Sequence, residues 1–505
     1  MKHGSRKTIL TLLLAGLMLL ASCSSGTENA ETIDSVSVSA DPTADAAVET
    51  VETEPVNELA QFAPGFAEED HGGRTFMFIY GDNDFEPNLD LCAEELNGEA
   101  LNDAIFERNL AIEEKYIVDV AWERYGYDVC SNKVTQSVAA DESIYDVIIN
   151  NGVYSFSLAQ RGNTQKMNGF PNIDYTKPYW NSNMMEGSSI NHKNYFVYSD
   201  INIHALGATP CTLFNKVVAE QFQFGNLYDL VREGKWTYDT MSSLIQTVTM
   251  DLNADGKITE KDMLGFIGNT FVIDCFLSGT GYQTIAKDAD DLPVLNMQTE
   301  EYYNIIEQMM ALCSMDNGSY ICDRYAGVDR EYAPMEALEE DRALFWIANL
   351  KGVERMREMD SPFGILPIPK FNEEQESYKI HYQANIGGAM SVPITASDND
   401  LVGKVLEEMS YLSMCSVKPA YVDVLLQGKF LRDEESLVTL EIMFDSYYSD
   451  IGFLTTNSGI PVLSNLRDYI ANNRSDYVSN IASTHKAYNK ILGKITENYL
   501  ADADD

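Results

Sequence analysis

Twelve residues, DLNADGKITEKD from Asp251 to Asp262, carry the most specific chemical spacing in the chain. Asp251, Asn253 and Asp255 stand at alternate positions, and Gly256 follows where a tight loop must turn. Lys257 offers a main-chain carbonyl, and Thr259 and Asp262 fall at positions nine and twelve of a calcium loop. Hard oxygen ligands in that order suit a shell of about 2.3–2.6 Å around Ca²⁺. Asp262 stands where such loops place a longer, bidentate Glu, which predicts weak binding in the range of extracellular modules. A hydrogen-bonded Asx-turn loop without metal is the alternative. The loop occurs once, whereas a sensor needs paired loops and an exposed groove, so the expected role is a structural pin with Ca²⁺ as its cofactor.

The 78 Asp and Glu residues supply carboxylate pairs everywhere, so the two-acid arrangement of a glycoside hydrolase cannot be picked out by spacing. The chain has no Gly-x-Ser-x-Gly elbow, no His-Glu-x-x-His zinc site and no phosphate loop. Its six His are scattered. Eight Cys include Cys23 near the N-terminus. The other seven contain no Cys-x-x-Cys pair and read as small buried apolar residues, with a Cys313–Cys322 bridge left open.

The elements that position any site begin with TFMFIY (Thr75–Tyr80), which reads as a buried strand. A helix over Gly98–Tyr116, a strand over Ile117–Trp122, a helix near Ser131–Ala140 and a strand over Tyr145–Asn150 follow. This β-α-β-α-β succession builds a parallel sheet with helices on both faces. Ligands of such sheets lie beyond the carboxyl ends of the strands, here the loops Gly81–Pro87 and Asn150–Ser157. Helices are predicted over Ala219–Val231, Met241–Met250 with Thr237 or Asp239 as N-cap, Tyr302–Cys313, Val402–Ser413 and Glu434–Ser446. A strand is predicted over Phe363–Pro369.

At the N-terminus, Lys2, Arg6 and Lys7 precede an apolar run, Ile9–Leu20, too short to span a bilayer. Residues 1–22 therefore read as an export signal. The sequence Leu20-Ala21-Ser22-Cys23 resembles the lipobox of bacterial lipoproteins, which implies lipidation of Cys23 and attachment to the extracytoplasmic face of the cell membrane. Residues 23–73 hold no Lys or Arg before Arg74 and are rich in Ala, Thr, Ser, Glu and Asp, the composition of a disordered acidic linker. The formal charge of -43 disfavours nucleic acid and anionic membrane surfaces as partners.

Five stretches in order resemble family 1 extracellular solute-binding lipoproteins of bacterial ABC importers, the maltose-binding type. They are PYWNSN, LFNKVVAEQF, GKWTYDTMSSLIQTVTMDLNADGKITEKDMLGF, RALFWIANL with FGILPIPKFNEEQESY, and KFLRDEES. The resemblance implies an α/β protein of the two-lobe periplasmic-binding-protein type II fold, with a hinge and an interlobe ligand cleft. It places the first part of lobe 1 at 74–207 and lobe 2 at 208–388. Residues 389–505 return to lobe 1 and end in C-terminal helices shared between lobes. The crossings fall near Ile203–Thr209 and Ala384–Pro393. Such a protein is a monomeric carbohydrate receptor that delivers its ligand to ABC transporter permease subunits and catalyses nothing itself. Sugars are held by aromatic faces, amides and carboxylates. The residues expected at the cleft are Asp82, Asp84, Asn151, Tyr154 and Trp180 on lobe 1, Tyr282, Trp346 and Asn349 on lobe 2, and Gln383 and Asn385 at the return crossing. Trp236 is expected to be a structural residue at a helix entry. A surface-anchored glycoside hydrolase and a calcium-dependent docking or adhesion protein are the rival readings.

Overall fold

The computed structural model describes residues 58–82, 91–201, 204–356, 359–381, 388–426 and 434–501. The first strand, β1 (Arg74–Asp82), is followed by α1 (Ala100–Tyr116), β2 (Val118–Gly126), α2 (Tyr127–Ala139), β3 (Val147–Asn151) and α3 (Gly152–Gln160). β1 pairs in parallel with both β2 and β3, as the β-α-β-α-β reading predicts. One face of this sheet packs Ile79 and Ile148 against Cys130 and Val134 of α2. The strand β2 runs four residues past its predicted end at Trp122, and this carries Tyr127 to the carboxyl edge of the sheet.

The chain then builds a second sheet from β4 (Pro210–Asn215), β5 (Leu264–Gly268), β8 (Ser319–Ile321), β9 (Ala343–Asn349) and β10 (Phe363–Leu366), in the order β10-β4-β9-β5-β8. A separate hairpin, β6 (Ile285–Lys287) and β7 (Pro293–Leu295), lies between β5 and β8 in sequence. A short pair, β11 (Ile380–His381) and β13 (Tyr447–Tyr448), stands beside the return to the first sheet. That return is β12 (Gly388–Ser391), antiparallel to β3. The chain therefore enters the second sheet at Pro210, leaves it after Leu366 and returns to the first at Gly388, so each sheet centres one lobe.

Local chemistry explains many of the helix starts. Asn151, Asn215, Asn226, Thr237, Thr299 and Asp398 each cap the helix that follows, accepting a main-chain N–H with the side-chain oxygen. Thr237 is the cap of helix Tyr238–Val248, while Asp239 sits in its first turn. The helix predicted over Ala219–Val231 is instead two short ones, Lys216–Gln221 and Leu227–Arg232. Gln223 and Gly225 between them take positive φ, which ends the first helix. Trp236 is fully buried and donates its indole N–H to the Pro367 carbonyl at 2.8 Å, the structural role expected of it. Among the described cysteines all are free thiols, Cys313 and Cys322 included. Among the described residues no helix is long and apolar enough to cross a membrane.

Composition placed the end of the disordered linker at residue 73, but the chain joins the body earlier, and the compact unit begins at Pro64. The N–H groups of Glu69, His71 and Gly73 donate to the carbonyls of Lys115, Tyr116 and Ile117, and Glu69 pairs with Lys404 at 2.7 Å. Two of those carbonyls close the last turn of α1, and the third belongs to its cap residue. They would otherwise lack partners, a need that composition cannot reveal.

Candidate functional site

The carboxyl ends of β1, β2 and β3 meet at one edge of the first sheet. Asn150 is fully buried there. Its amide N–H donates to the Tyr127 carbonyl at 3.0 Å, and its carbonyl accepts the Asn151 N–H at 2.8 Å. Gly81 at the end of β1 keeps the space open, because a Cβ there would lie 2.5 Å from Asn150 Oδ1 and 2.9 Å from the Tyr127 ring. Tyr127 and Tyr154, both part-exposed, stand with rings 21° from parallel and centroids 6.5 Å apart. Two aromatic faces braced by a buried amide can take the C–H side of a sugar ring or another flat, part-apolar group.

The other residues expected on this lobe do different work. Asn151 is buried, and its side chain is used in capping α3, accepting the Tyr154 N–H at 3.0 Å. Asp82 is 2 % exposed and paired with Arg124 at 2.5 Å, so it is an ion-pair partner instead of a hydroxyl acceptor. Trp180 is fully buried, and its indole N–H donates to Glu407 at 2.9 Å beside the Tyr179 hydroxyl at 2.7 Å. It belongs to the lobe core. Burial pushes the Glu407 carboxyl above its usual range, and the three donors from Tyr179, Trp180 and Asp174 only partly offset this. Asp84 lies outside the described residues.

On the second lobe, Tyr282 is buried, stacks on Tyr302 at 5.3 Å and hydrogen-bonds Asn296 and Thr299. It is a packing residue. Trp346 is part-exposed on β9 opposite Leu213. Asn349 ends the same strand opposite Pro210, beside the first crossing, and its side chain accepts the Gly352 N–H at 2.8 Å. Gln383 and Asn385 lie outside the described residues. Tyr154, Trp346 and Asn349 are thus the expected residues that remain where a cleft ligand could reach them, and Tyr127 joins them. The apolar alternation of β2 stops at Trp122, with Arg124 next on the face of Val118, Val120 and Trp122, so no signal in the sequence marks the extension to Gly126 that brings Tyr127 there. A surface cavity lined by Phe214, Lys216, Glu220, Tyr228 and Glu435 opens at the end of β4 remote from the crossings, and it is not part of this site.

The calcium-like loop folds by its own Asx turns. Asp251 Oδ2 accepts the Gly256 N–H at 2.7 Å, Asn253 Oδ1 that of Asp255 at 2.9 Å, and Asp255 Oδ1 that of Lys257 at 2.8 Å. Both oxygens of buried Asp262 are engaged, one by the Leu252 N–H at 3.0 Å and the other by Thr259 N–H and hydroxyl at 2.8 and 2.9 Å. Those bonds outweigh the opposing effect of burial and hold the Asp262 carboxyl below its usual range. Asp251 Oδ1 is buried without a hydrogen-bond partner, the acceptor a cation would satisfy. Among the described residues no three Asp, Glu, His or Cys side chains converge as a metal site. The loop thus offers hard oxygens at Asp251, Asn253 and Asp255 and uses Thr259 and Asp262 as its internal clasp.

Comparison with solved structures identifies the architecture. The sugar-binding protein MalE of Xanthomonas citri superposes with a TM-score of 0.55 at 12% identity, over 85% of this chain and 100% of that one. The ABC substrate-binding protein Lmo0181 of Listeria monocytogenes, solved with cycloalternan, gives 0.54 at 9% identity over 83% and 99%. The chain has the type II fold of ABC substrate-binding proteins. UgpB of Mycobacterium tuberculosis, solved with glycerophosphocholine, gives 0.53 at 12% identity over 84% and 99%, so the same fold accompanies chemically different ligands. No protein-family model matches the chain, and no curated protein matches it. At these identities the likeness establishes the fold alone.

Proposed function

We propose that this protein is a lipid-anchored, extracytoplasmic solute-binding receptor that holds a carbohydrate between its lobes and delivers it to an ABC permease. Tyr127 and Tyr154 at the carboxyl edge of the first sheet carry this reading, because paired aromatic faces at that edge of a type II fold suit sugar rings. Trp346 and Asn349 would supply the facing wall. Trapping would follow from rotation of the lobes about the two crossings. Paired aromatic faces also suit a quaternary ammonium such as that of glycerophosphocholine. Sugar is favoured because the faces come with a buried amide and because, among the described residues of this edge, the Arg124 cation that could meet a phosphate is already paired with Asp82. The protein is read as a binder, with lipidation of Cys23 as its anchor; Cys23 lies outside the described residues. Asp251, Asn253, Asp255 and the Lys257 carbonyl would hold Ca²⁺, which would stiffen the second lobe.

The test is calorimetry of the purified protein against linear and cyclic gluco-, xylo- and manno-oligosaccharides, glycerophosphocholine and short peptides. A sugar bound and recovered intact is expected. Tyr154→Ala and Tyr127→Ala should each weaken binding by about 1–3 kcal/mol, the order of a buried aromatic contact. A cleaved sugar would favour the hydrolase, and binding only of glycerophosphocholine or peptide would replace the ligand class. Loss of the protein from the membrane fraction in Cys23→Ala checks the anchor.

A further inference from the structure

The β6–β7 hairpin is rooted in one lobe and bonded at its tip to the other. At its base, the Tyr282 hydroxyl hydrogen-bonds Asn296 and Thr299, and the Tyr282 ring stacks on Tyr302 of helix Glu300–Leu312. At its tip, Asp288 braces the turn by accepting the N–H groups of Asp290 and Leu292 at 3.0 and 2.9 Å. Asp291 lies in the left-handed region, at φ 59°.

Facing that tip is a second tight turn from the first lobe. Asn191 and His192 take φ 53° and 57° between the bridged residues Ile190 and Lys193, and the same segment reaches the first sheet where Val197 bridges Met390. Asp291 accepts the His192 N–H and the Ser189 hydroxyl, each at 2.8 Å, and its carbonyl accepts the Asn191 N–H at 3.0 Å. Lys287 pairs with Asp291 at 2.9 Å, donates to Ser189 at 2.8 Å and also donates to the Glu186 carbonyl. The two side chains are only 15% and 12% exposed. Separating the turns would take from Asp291 the His192 and Ser189 donors and from Lys287 the Ser189 and Glu186 acceptors, so the pair would keep only each other and water, the weak state of a surface ion pair.

We propose that this hairpin is an interlobe strap, whose Lys287–Asp291 clasp on residues 186–192 limits how far the lobes swing apart. The residues of the clasp are none of Tyr127, Tyr154, Trp346 and Asn349, so it acts on opening and leaves ligand contacts alone.

Hydrogen exchange and small-angle X-ray scattering on the ligand-free full chain test the strap in Asp291→Ala and Lys287→Met. Amides of Asn191 and His192 should exchange at least about tenfold faster, the radius of gyration should rise, and peptides from β5 and β9 should exchange as in the unaltered protein. Faster exchange with an unchanged radius of gyration would reduce the clasp to local packing and overturn the strap, as would unchanged exchange. If β5 and β9 also exchange faster, the variant has lost its fold. Asp291→Asn, which keeps one acceptor oxygen, then decides by the same two readings, with a smaller rise in radius expected and no rise overturning the proposal.

Discussion

Buried carboxylates at the lobe junction show what single residues contribute. Asp450 is 1% exposed, caps helix Ile451–Leu454 through the Gly452 N–H at 2.8 Å, and accepts Thr284 N–H and hydroxyl at 2.9 and 3.0 Å. Burial outweighs those donors and pushes its carboxyl up to about 6. A raised folded-state value means the fold binds this proton more tightly than the unfolded chain does. The contribution is complete below the unfolded value near 4 and is lost as pH rises through about 6. The protein should therefore be about 1 kcal/mol more stable at pH 5 than at pH 7.5 through this group. Asp450→Asn should lack that part of the dependence, and urea unfolding of both proteins at the two pH values checks it; equal pH dependence would exclude Asp450 as the source. The aromatic residues make a related point. Trp180 and Tyr282 have the chemistry of sugar-stacking residues, yet Tyr282 is enclosed by the nearby Asn296, Thr299 and Tyr302 and Trp180 by a partner distant in sequence. The partner of Trp180 is Glu407, 227 residues away.

Elements are decided by backbone approach as much as by propensity. Gly403 lies inside the helix Asn399–Leu412, where Ala would ordinarily be favoured by about 1 kcal/mol. A Cβ at that position would sit 1.8 Å from the Pro171 carbonyl oxygen, so close packing wins over helix propensity. Gly403→Ala should destabilise the protein by about 1–3 kcal/mol, read as a lower melting temperature; a gain in stability would show that the helix can move away. The calcium-like loop is a second such element. Its turns close through hydrogen bonds of its own, and the orphaned Asp251 oxygen calls for a partner. Millimolar Ca²⁺ should raise the melting temperature of the unaltered protein and leave that of an Asp251→Ala, Asp255→Ala double variant unmoved. No rise in the unaltered protein would make it a metal-free turn.

For the whole molecule, two sheets joined by two crossings and a C-terminal segment make relative lobe motion the expected response to ligand. The C-terminal segment ties the lobes together as well. The Tyr447 hydroxyl bonds Thr209 of the first crossing, Tyr448 donates to the Ser278 carbonyl at 3.1 Å, and Lys193 donates to the Tyr499 carbonyl at 2.9 Å. A bound oligosaccharide should lower the radius of gyration in scattering measurements, and ligand binding without compaction would argue for a preclosed cleft.

The sequence by itself determined what local rules govern. The parallel β1–β3 sheet followed from runs of apolar residues spaced by helices, and the Thr237 cap followed from its place before apolar periodicity. The turns of the calcium-like loop followed from Asx residues around Gly256. Tertiary structure alone decided which aromatic and amide groups face solvent at the cleft. Tyr154 stays accessible while Trp180 is enclosed, because burial depends on what the rest of the chain brings against each side chain. It also decided the tip-to-tip contact of Asp291 with Asn191 and His192. Two turns about a hundred residues apart meet only once both lobes are built, and no spacing in the chain records that meeting.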